Sequence, residues 1–506
     1  MNSDIQGFYK GKTIFLTGGT GYLGKVIIEK LLRSTEVKRI YSMTRPKRGE
    51  SIQERVAKLE TDVLFEKLLK LNPDALKRVV PIVGDCLEPD LGISAADRKL
   101  LAAEVHIVIH SAATVRFDEA LHLALDLNTR ATRLMVQLAK QMVHLQSYVH
   151  ISTAYSNCVV TNVEEKLYPE HLSCSSDKVL AIREQLSDKL IDDMTPALLG
   201  RYPNTYTYTK ALGEDVILRE AVGLPVCIFR PAIVVPIYKE PVVGWSDNMN
   251  GPTAIVFACA LGVVRLMCVD TEAHIGLVPV DYCANEALAC AWKTDQSAHS
   301  SGGGEVGRGG GEPTVYTLAP SEKNLVTFGR FINVSLSCRD IFPFSKMVWY
   351  PIVHCVLNPW LFSIGAFFYH ILPGYFMDLM LRLSGRKPRM VNIYRKIHKN
   401  IELLGPFTSR SFALDTRNTN RLQELMSAKD RLTFQFDMAM MDWDDYFKTA
   451  LLGIRIYLAK DPHTPESVTQ ALKLLKRLRF MHNTLKASLA CGAGAILWSL
   501  FKLIMN

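Results

Sequence analysis

The chain has 506 residues, 48% of them hydrophobic and 22% charged, the balance of a folded protein of about two or three domains. That excludes a largely disordered chain, a collagen-like fibre and a small disulfide scaffold. The 59 Lys and Arg against 50 Asp and Glu leave a net charge of +9. This mild excess suits a phosphorylated cofactor or an acidic lipid surface, and without a basic arm or repeat it does not argue for nucleic acid. The 11 cysteines are scattered without a C-x-x-C pair, and residues 1–12 hold no apolar run of secretory length. Both features fit reduced thiols in the cytosol.

In chain order, β-rich runs at 13–17, 39–43, 79–83, 105–109, 148–152 and 226–230 alternate with helical stretches such as 25–33. Buried strands separated by helices predict a parallel sheet covered on both faces, an α/β doubly wound Rossmann-type fold. Residues 295–313 are Gly/Ser-rich and read as a flexible loop, followed by one more strand at 315–318. The first domain is therefore expected at 1–345. An apolar, membrane-associated segment follows at 346–377, interrupted by Pro351, Pro359 and Pro373. Residues 378–483 return to amphipathic helical sequence, and 484–506 form an expected membrane anchor around the apolar run 487–501.

Several residues carry chemistry. Thr17-Gly18-Gly19-Thr20-Gly21-Tyr22-Leu23-Gly24 follows the first strand and opens the first helix. Its glycines allow a tight turn and close backbone approach to a pyrophosphate at the positive helix end. The second strand ends at Thr44-Arg45-Pro46-Lys47-Arg48, with cations where an NAD site places a carboxylate. Arg45 is the candidate for the adenosine 2′-phosphate, which implies NADPH. Asp85, after the third strand, is placed to meet the adenine. Ala112, after the fourth, is a small residue beside which a cofactor can pass. Tyr206 and Lys210 stand at i and i+4 on one helix face. A lysine cation there favours the phenolate and lowers the tyrosine pKa, making Tyr206 a proton donor opposite a hydride donor. Thr153 or Ser152, at the end of the fifth strand, can hydrogen-bond a substrate carbonyl. Asn128 is a candidate anchor for a relay water. No metal-ligand cluster is expected.

These motifs resemble the extended short-chain dehydrogenase/reductase superfamily and, within it, the fatty acyl-CoA reductases. The likeness is carried by residues 17–24, 110–117, 151–157, 203–212 and 229–234, then by Lys239-Glu240-Pro241, Gly244-Trp245 and Val278-Pro279-Val280-Asp281. Gly385-Arg386-Lys387-Pro388-Arg389-Met390 and Asp442-Trp443 with Tyr446 resemble the family's helical C-terminal domain. The stretch 152–165 is most similar to insect members. The resemblance implies NADPH-dependent reduction of a long-chain acyl-CoA to an aldehyde and then a fatty alcohol, with CoA released. It implies Tyr206 as proton donor, Lys210 as its partner and ribose ligand, Thr153 as the catalytic hydroxyl and Asn128 as the fourth member.

Two further readings share the motifs through Lys210: a one-step dehydrogenase acting on a sterol, sugar nucleotide or other carbonyl, and an inactive membrane scaffold. The C-terminal apolar stretches argue against the first and the intact Tyr206, Lys210 and Thr153 against the second. The 15-residue tail run would span about 23 Å as a helix, short of a hydrocarbon core of about 30 Å. Cations flank residues 347–377 on both sides, which favours a re-entrant or surface-lying hairpin, or the wall of an acyl-chain tunnel, over one crossing. The expectation is a membrane-associated protein whose catalytic domain faces the cytosol, at the endoplasmic reticulum first, with peroxisome and lipid droplet as alternatives.

Overall fold

The computed structural model describes residues 3–46, 51–300 and 312–505. Lys47, Arg48 and residues 301–311 of the Gly-rich loop lie outside them. Seven strands build the main sheet: β1 Thr13–Thr17, β2 Arg39–Thr44, β3 Val79–Val83, β4 Ile107–His110, β5 Ser147–Ile151, β6 Val226–Pro231 and β7 Thr314–Leu318. Their order is β7-β6-β5-β4-β1-β2-β3, with every pair parallel. The reversal of order between β1 and β4 opens a crevice at the carboxyl ends of the strands, the ligand site of a doubly wound sheet. β1 is buried at all five positions, as β-branched and aromatic runs in a two-sided sheet must be.

Helix α1, Tyr22–Ser34, follows β1; α2, Thr205–Glu220, precedes β6. Helix α3, Val280–Ser300, covers the sheet against β5, β6 and α1. After the loop the chain returns to the sheet as β7, at its edge beside β6.

The chain divides into two compact units. One comprises 1–243, 274–326 and 411–441; the other comprises 244–273, 327–410 and 442–506. The division is discontinuous, whereas the sequence pattern suggested linear boundaries at 345 and 377. In the second unit, strand His354–Val356 pairs with Leu266–Cys268, residues that precede it by almost ninety positions. In the first, Ala413–Leu414 pairs with Asn162–Val163.

The apolar segment also differs from expectation. It is irregular up to residue 358 apart from the short strand His354–Val356, and then forms one helical stretch, α4, Pro359–Leu383. Pro373 does not break it. A π-helical turn, Phe367–Ile371, stands just before the proline and accommodates a ring that offers no N–H and crowds the preceding turn. Helix α5, Met390–Thr408, follows, and the tail is one continuous helix, α6, Pro465–Met505. The first part of α6 buries Ala471, Leu475 and Leu478, the last two beside Phe344, Met347 and Tyr350. Residues 483–505 are exposed throughout. As a helix they span about 34 Å, enough to cross a hydrocarbon core of about 30 Å.

Candidate functional site

The site is assembled at the carboxyl ends of β1, β4 and β5. Gly18 leaves β1 with φ +75°, a conformation that glycine adopts without steric cost. A Cβ there would stand 3.0 Å from the Ala112 backbone nitrogen, so the glycine turn and the exit of β4 touch. A Cβ on Gly24 would meet the Gly18 carbonyl at 2.1 Å, so only glycine lets α1 start this close to the turn. The N-cap is Gly21, without a side-chain cap, and no acidic residue stands in the first turn. The start of α1 thus presents backbone amides and a positive dipole end without a competing carboxylate.

Thr17 has an internal role. Its hydroxyl accepts the N–H groups of Ser111 and Ala112, both at 3.1 Å, and pairs with His110 Nδ1 at 2.8 Å. With both amides donating, the hydroxyl proton goes to Nδ1, so the His110 ring is neutral. Burial and the Lys210 charge hold its pKa down at about 3. Thr17 therefore latches β1 to β4 through its side chain, and Tyr22 donates to the Val235 carbonyl at 3.1 Å. Thr20 and Leu23 remain half-buried at the turn.

Arg45 is exposed at the end of β2, its Nε 3.9 Å from the Asp85 carboxylate. A second cation joins it. Arg55, from helix Ile52–Ala57, donates to the Arg45 carbonyl and to Thr20 Oγ1, the latter at 3.2 Å. It ties the glycine turn to the end of β2, and its position ten residues past Arg45 gave no spacing signal in the sequence.

Tyr206 lies in the first turn of α2, which Asn204 caps by accepting from Thr207 N–H at 2.9 Å. The Tyr206 ring stacks on Phe117 at 5.7 Å. Thr153 acts on the Tyr206 hydroxyl to lower its pKa, but desolvation outweighs that effect, pushing the phenol up to about 12. This departs from the expected lowering by Lys210. The lysine ammonium instead donates to the Ile151 carbonyl at 2.8 Å, and burial brings it down to about 8, partly offset by Glu214.

Ser152 is committed elsewhere, donating to Glu214 at 2.5 Å. Of the two hydroxyls, Thr153 is therefore the one beside Tyr206. Asn128 lies in a π-helical turn, Leu125–Arg130. Its amide oxygen accepts the Thr114 N–H at 3.0 Å, and its amide nitrogen donates to the Thr114 carbonyl at 3.2 Å and to Thr209 Oγ1 at 3.0 Å. It fastens the loop after β4 to the residue preceding Lys210.

Comparison with known proteins bears directly on this arrangement. Two family models, both described as male sterility protein, match residues 16–287, an NAD-binding region, and 369–461. A fatty acyl-CoA reductase of Drosophila melanogaster, wat, is 39% identical over 503 residues, covering 99% of this chain and 94% of the relative. The chain belongs to the fatty acyl-CoA reductase family. Human fatty acyl-CoA reductase 2 is 36% identical over 95% of this chain and 90% of its own length. Among solved structures, the terminal reductase domain of the myxalamid biosynthetic pathway matches with TM-score 0.57 and 19% identity over 88% of this chain and 90% of that one. The reductase domain of a Mycobacterium tuberculosis nonribosomal peptide synthetase gives 0.56 and 16%, over 90% and 96%. These two likenesses show the fold. The chain is accordingly an oxidoreductase with a nicotinamide-cofactor fold.

The reductase site also contains a residue the sequence pattern did not single out. Glu214, one turn beyond Lys210, is buried and accepts from Ser152, from Ser156 at 2.8 Å, from Asn157 at 3.2 Å, and from Arg230 through Nε at 2.8 Å and a terminal nitrogen at 2.6 Å. Arg230 is fully buried. Removing one member of such a pair strands the other charge and costs about 3–5 kcal/mol, whereas an apolar pair of similar volume is often neutral. Glu214→Gln should therefore lower the urea midpoint sharply, and Glu214→Leu combined with Arg230→Met should lose much less than the sum of the single changes. Additive losses would show that the pair is not coupled.

Proposed function

We propose that this reductase converts a long-chain fatty acyl-CoA to a fatty alcohol through an aldehyde, with release of CoA and with NADPH as reductant. The pairing of Tyr206 with Thr153, beside a glycine turn flanked by Arg45 and Arg55, is the observation that carries the reading. The residues suit the cofactor. The amides at the start of α1 fit a pyrophosphate, Arg45 and Arg55 fit a 2′-phosphate, and Gly18 lets the turn close against Ala112 at the exit of β4. When bound, NADPH supplies one hydride to the acyl-CoA carbonyl and, from a second molecule, one to the aldehyde carbonyl. Tyr206 gives its phenolic proton to the substrate oxygen on which negative charge develops in each reduction. Thr153 positions that oxygen and Tyr206 together. Lys210 holds positive charge beneath them and is placed to fix the ribose, while Asn128 keeps the loop after β4 against α2. The apolar helices α4 and α6 support a membrane-associated enzyme, with its catalytic unit on the cytosolic side of the endoplasmic reticulum.

Three measurements test this reading. Arg45→Ala and Arg55→Ala should each weaken NADPH far more than NADH, because a charge-assisted hydrogen bond contributes about 1.5–3 kcal/mol, or roughly ten- to a hundredfold. Calorimetric titration giving equal losses for both cofactors would remove the 2′-phosphate assignment. Tyr206→Phe keeps the ring, so NADPH binding should survive. Its turnover should fall about 10²–10⁴-fold with acyl-CoA and equally with added fatty aldehyde. Near wild-type turnover would exclude Tyr206 as the acid.

The pH profile follows from Lys210. Its folded pKa lies near 8, so the cation is present below that pH and lost above it. Tyr206, near 12, stays protonated across the same range. The dependence of kcat/KM for NADPH, which reports the free enzyme, should bend downward near pH 8, and Lys210→Arg should move that limb upward. A flat profile up to about pH 10 would contradict the role of the charge.

A further inference from the structure

Helix α4 is amphipathic in the inverse sense for a protein surface. Ala366, His370, Gly374 and Asp378 recur every fourth residue and are all buried. This inner stripe is small or polar and is pinned by hydrogen bonds. His370 Nε2 accepts the Arg265 N–H at 3.0 Å, and His370 Nδ1 meets His398 Nε2 at 2.9 Å. Asp378 accepts the N–H groups of Arg389, Met390 and Val391 at 2.7, 2.8 and 3.1 Å, capping the start of α5. The Tyr394 ring stacks on His370 and lies where a Gly374 Cβ would stand only 3.0 Å away. The opposite face carries Trp360, Ile364, Phe368, Leu372, Phe376 and Leu383, between 49% and 80% exposed. Beyond it, residues 379–401 contain seven Lys or Arg and no Asp or Glu, and Arg382, Arg386, Lys387, Arg389, Arg395 and Lys396 are exposed.

We propose that α4 lies flat in one leaflet, with its outward apolar face among the acyl chains and the cations of 382–396 at anionic headgroups. A crossing would require apolar surface on every side. Here one side is held to α5, whose own exposed face carries Arg395 and Lys396, and these charges cannot follow α4 into hydrocarbon. An aqueous surface is equally unsuited to this row of aromatic and aliphatic side chains. An apolar face beside a polybasic stretch matches a bilayer interface rich in acidic lipid, a few ångströms below the headgroups. The surface is independent of the catalytic assignment. It assigns α4 a place distinct from that of residues 483–505, which have no protein face to hold them at the interface.

The test uses the full chain with phosphatidylcholine/phosphatidylserine vesicles and a fluorescent amino acid placed at Phe376 or, separately, at Leu497. Emission from position 376 should be quenched more by lipid carrying a nitroxide near the headgroup than by lipid carrying it near the chain end. Emission from position 497 should respond to the deep quencher. Phe368→Asp with Trp360→Asp alters only exposed side chains. It should abolish quenching at 376 and leave that at 497 unchanged. Removing Arg386 and Lys387 charge should weaken shallow quenching by roughly fivefold per cation in acidic vesicles and hardly at all in neutral ones. Strongest quenching of 376 by the deep nitroxide would overturn the proposal in favour of a crossing. No quenching from either depth would also overturn it, pointing to a protein partner or a second copy on this face.

Discussion

The carboxylate of Glu214 is the constraint on which the reactive geometry depends. An ionised group removed from water is tolerated only when donors replace its hydration, and here five do so. Those donors come from the loop after β5 and from β6, while Glu214 itself belongs to α2. One anion therefore fixes the loop 152–157 against the helix that bears Tyr206 and Lys210. By taking the Ser152 hydroxyl it leaves Thr153 as the hydroxyl beside the tyrosine. It also lies one turn from Lys210 and holds positive charge there against desolvation. Replacing it by a neutral acceptor would loosen three elements together.

Local signals in the sequence reached some of this arrangement and missed the rest for identifiable reasons. The strands were legible because a two-sided parallel sheet demands continuous apolar runs, and 13–17 and 79–83 match the observed bounds. The glycine turn was legible because its spacing answers a steric need at Gly18 and Gly24. Arg55 was not, since its relation to Thr20 arises from a turn of the chain rather than from spacing. Glu214 was overlooked because a glutamate in mid-helix looks solvated until its neighbours are known. The reading of Pro373 as an interruption failed because a π-helical turn absorbs the proline. The inner stripe of α4 was hidden in an apolar run whose few polar members, His370 among them, gave no hint that they faced protein.

Many residues on which the family resemblance rests hold the chain together. Asp281 of the Val-Pro-Val-Asp motif is buried and accepts the N–H groups of Tyr238, Lys239 and Glu240 at 3.0, 2.8 and 3.3 Å. Glu240 in turn receives Lys30 and Arg33 from α1, the latter at 2.9 Å. Asp442 caps the helix Trp443–Gly453 by accepting from Asp444 and Asp445. Asp281 and Asp442 bind backbone amides, and Glu240 binds two side-chain cations of α1. They are recognisable in sequence because a carboxylate that satisfies several amides has few substitutes. A motif therefore identifies the family through its latches as well as through its chemistry, and only the geometry separates the two.

That separation changes the account of proton delivery. A lysine four residues from a tyrosine suggests a phenol made more acidic by a neighbouring cation. Instead, desolvation dominates both groups and drives them in opposite directions, Tyr206 up to about 12 and Lys210 down to about 8. For the reduction proposed, the raised phenol is no handicap. An alkoxide is a much stronger base than a phenolate, so transfer from Tyr206 to the developing oxygen runs downhill even at this pKa. Burial of neighbouring groups with opposite charge types is what spaces ammonium and phenol apart, since desolvation penalises the cation of one and the anion of the other.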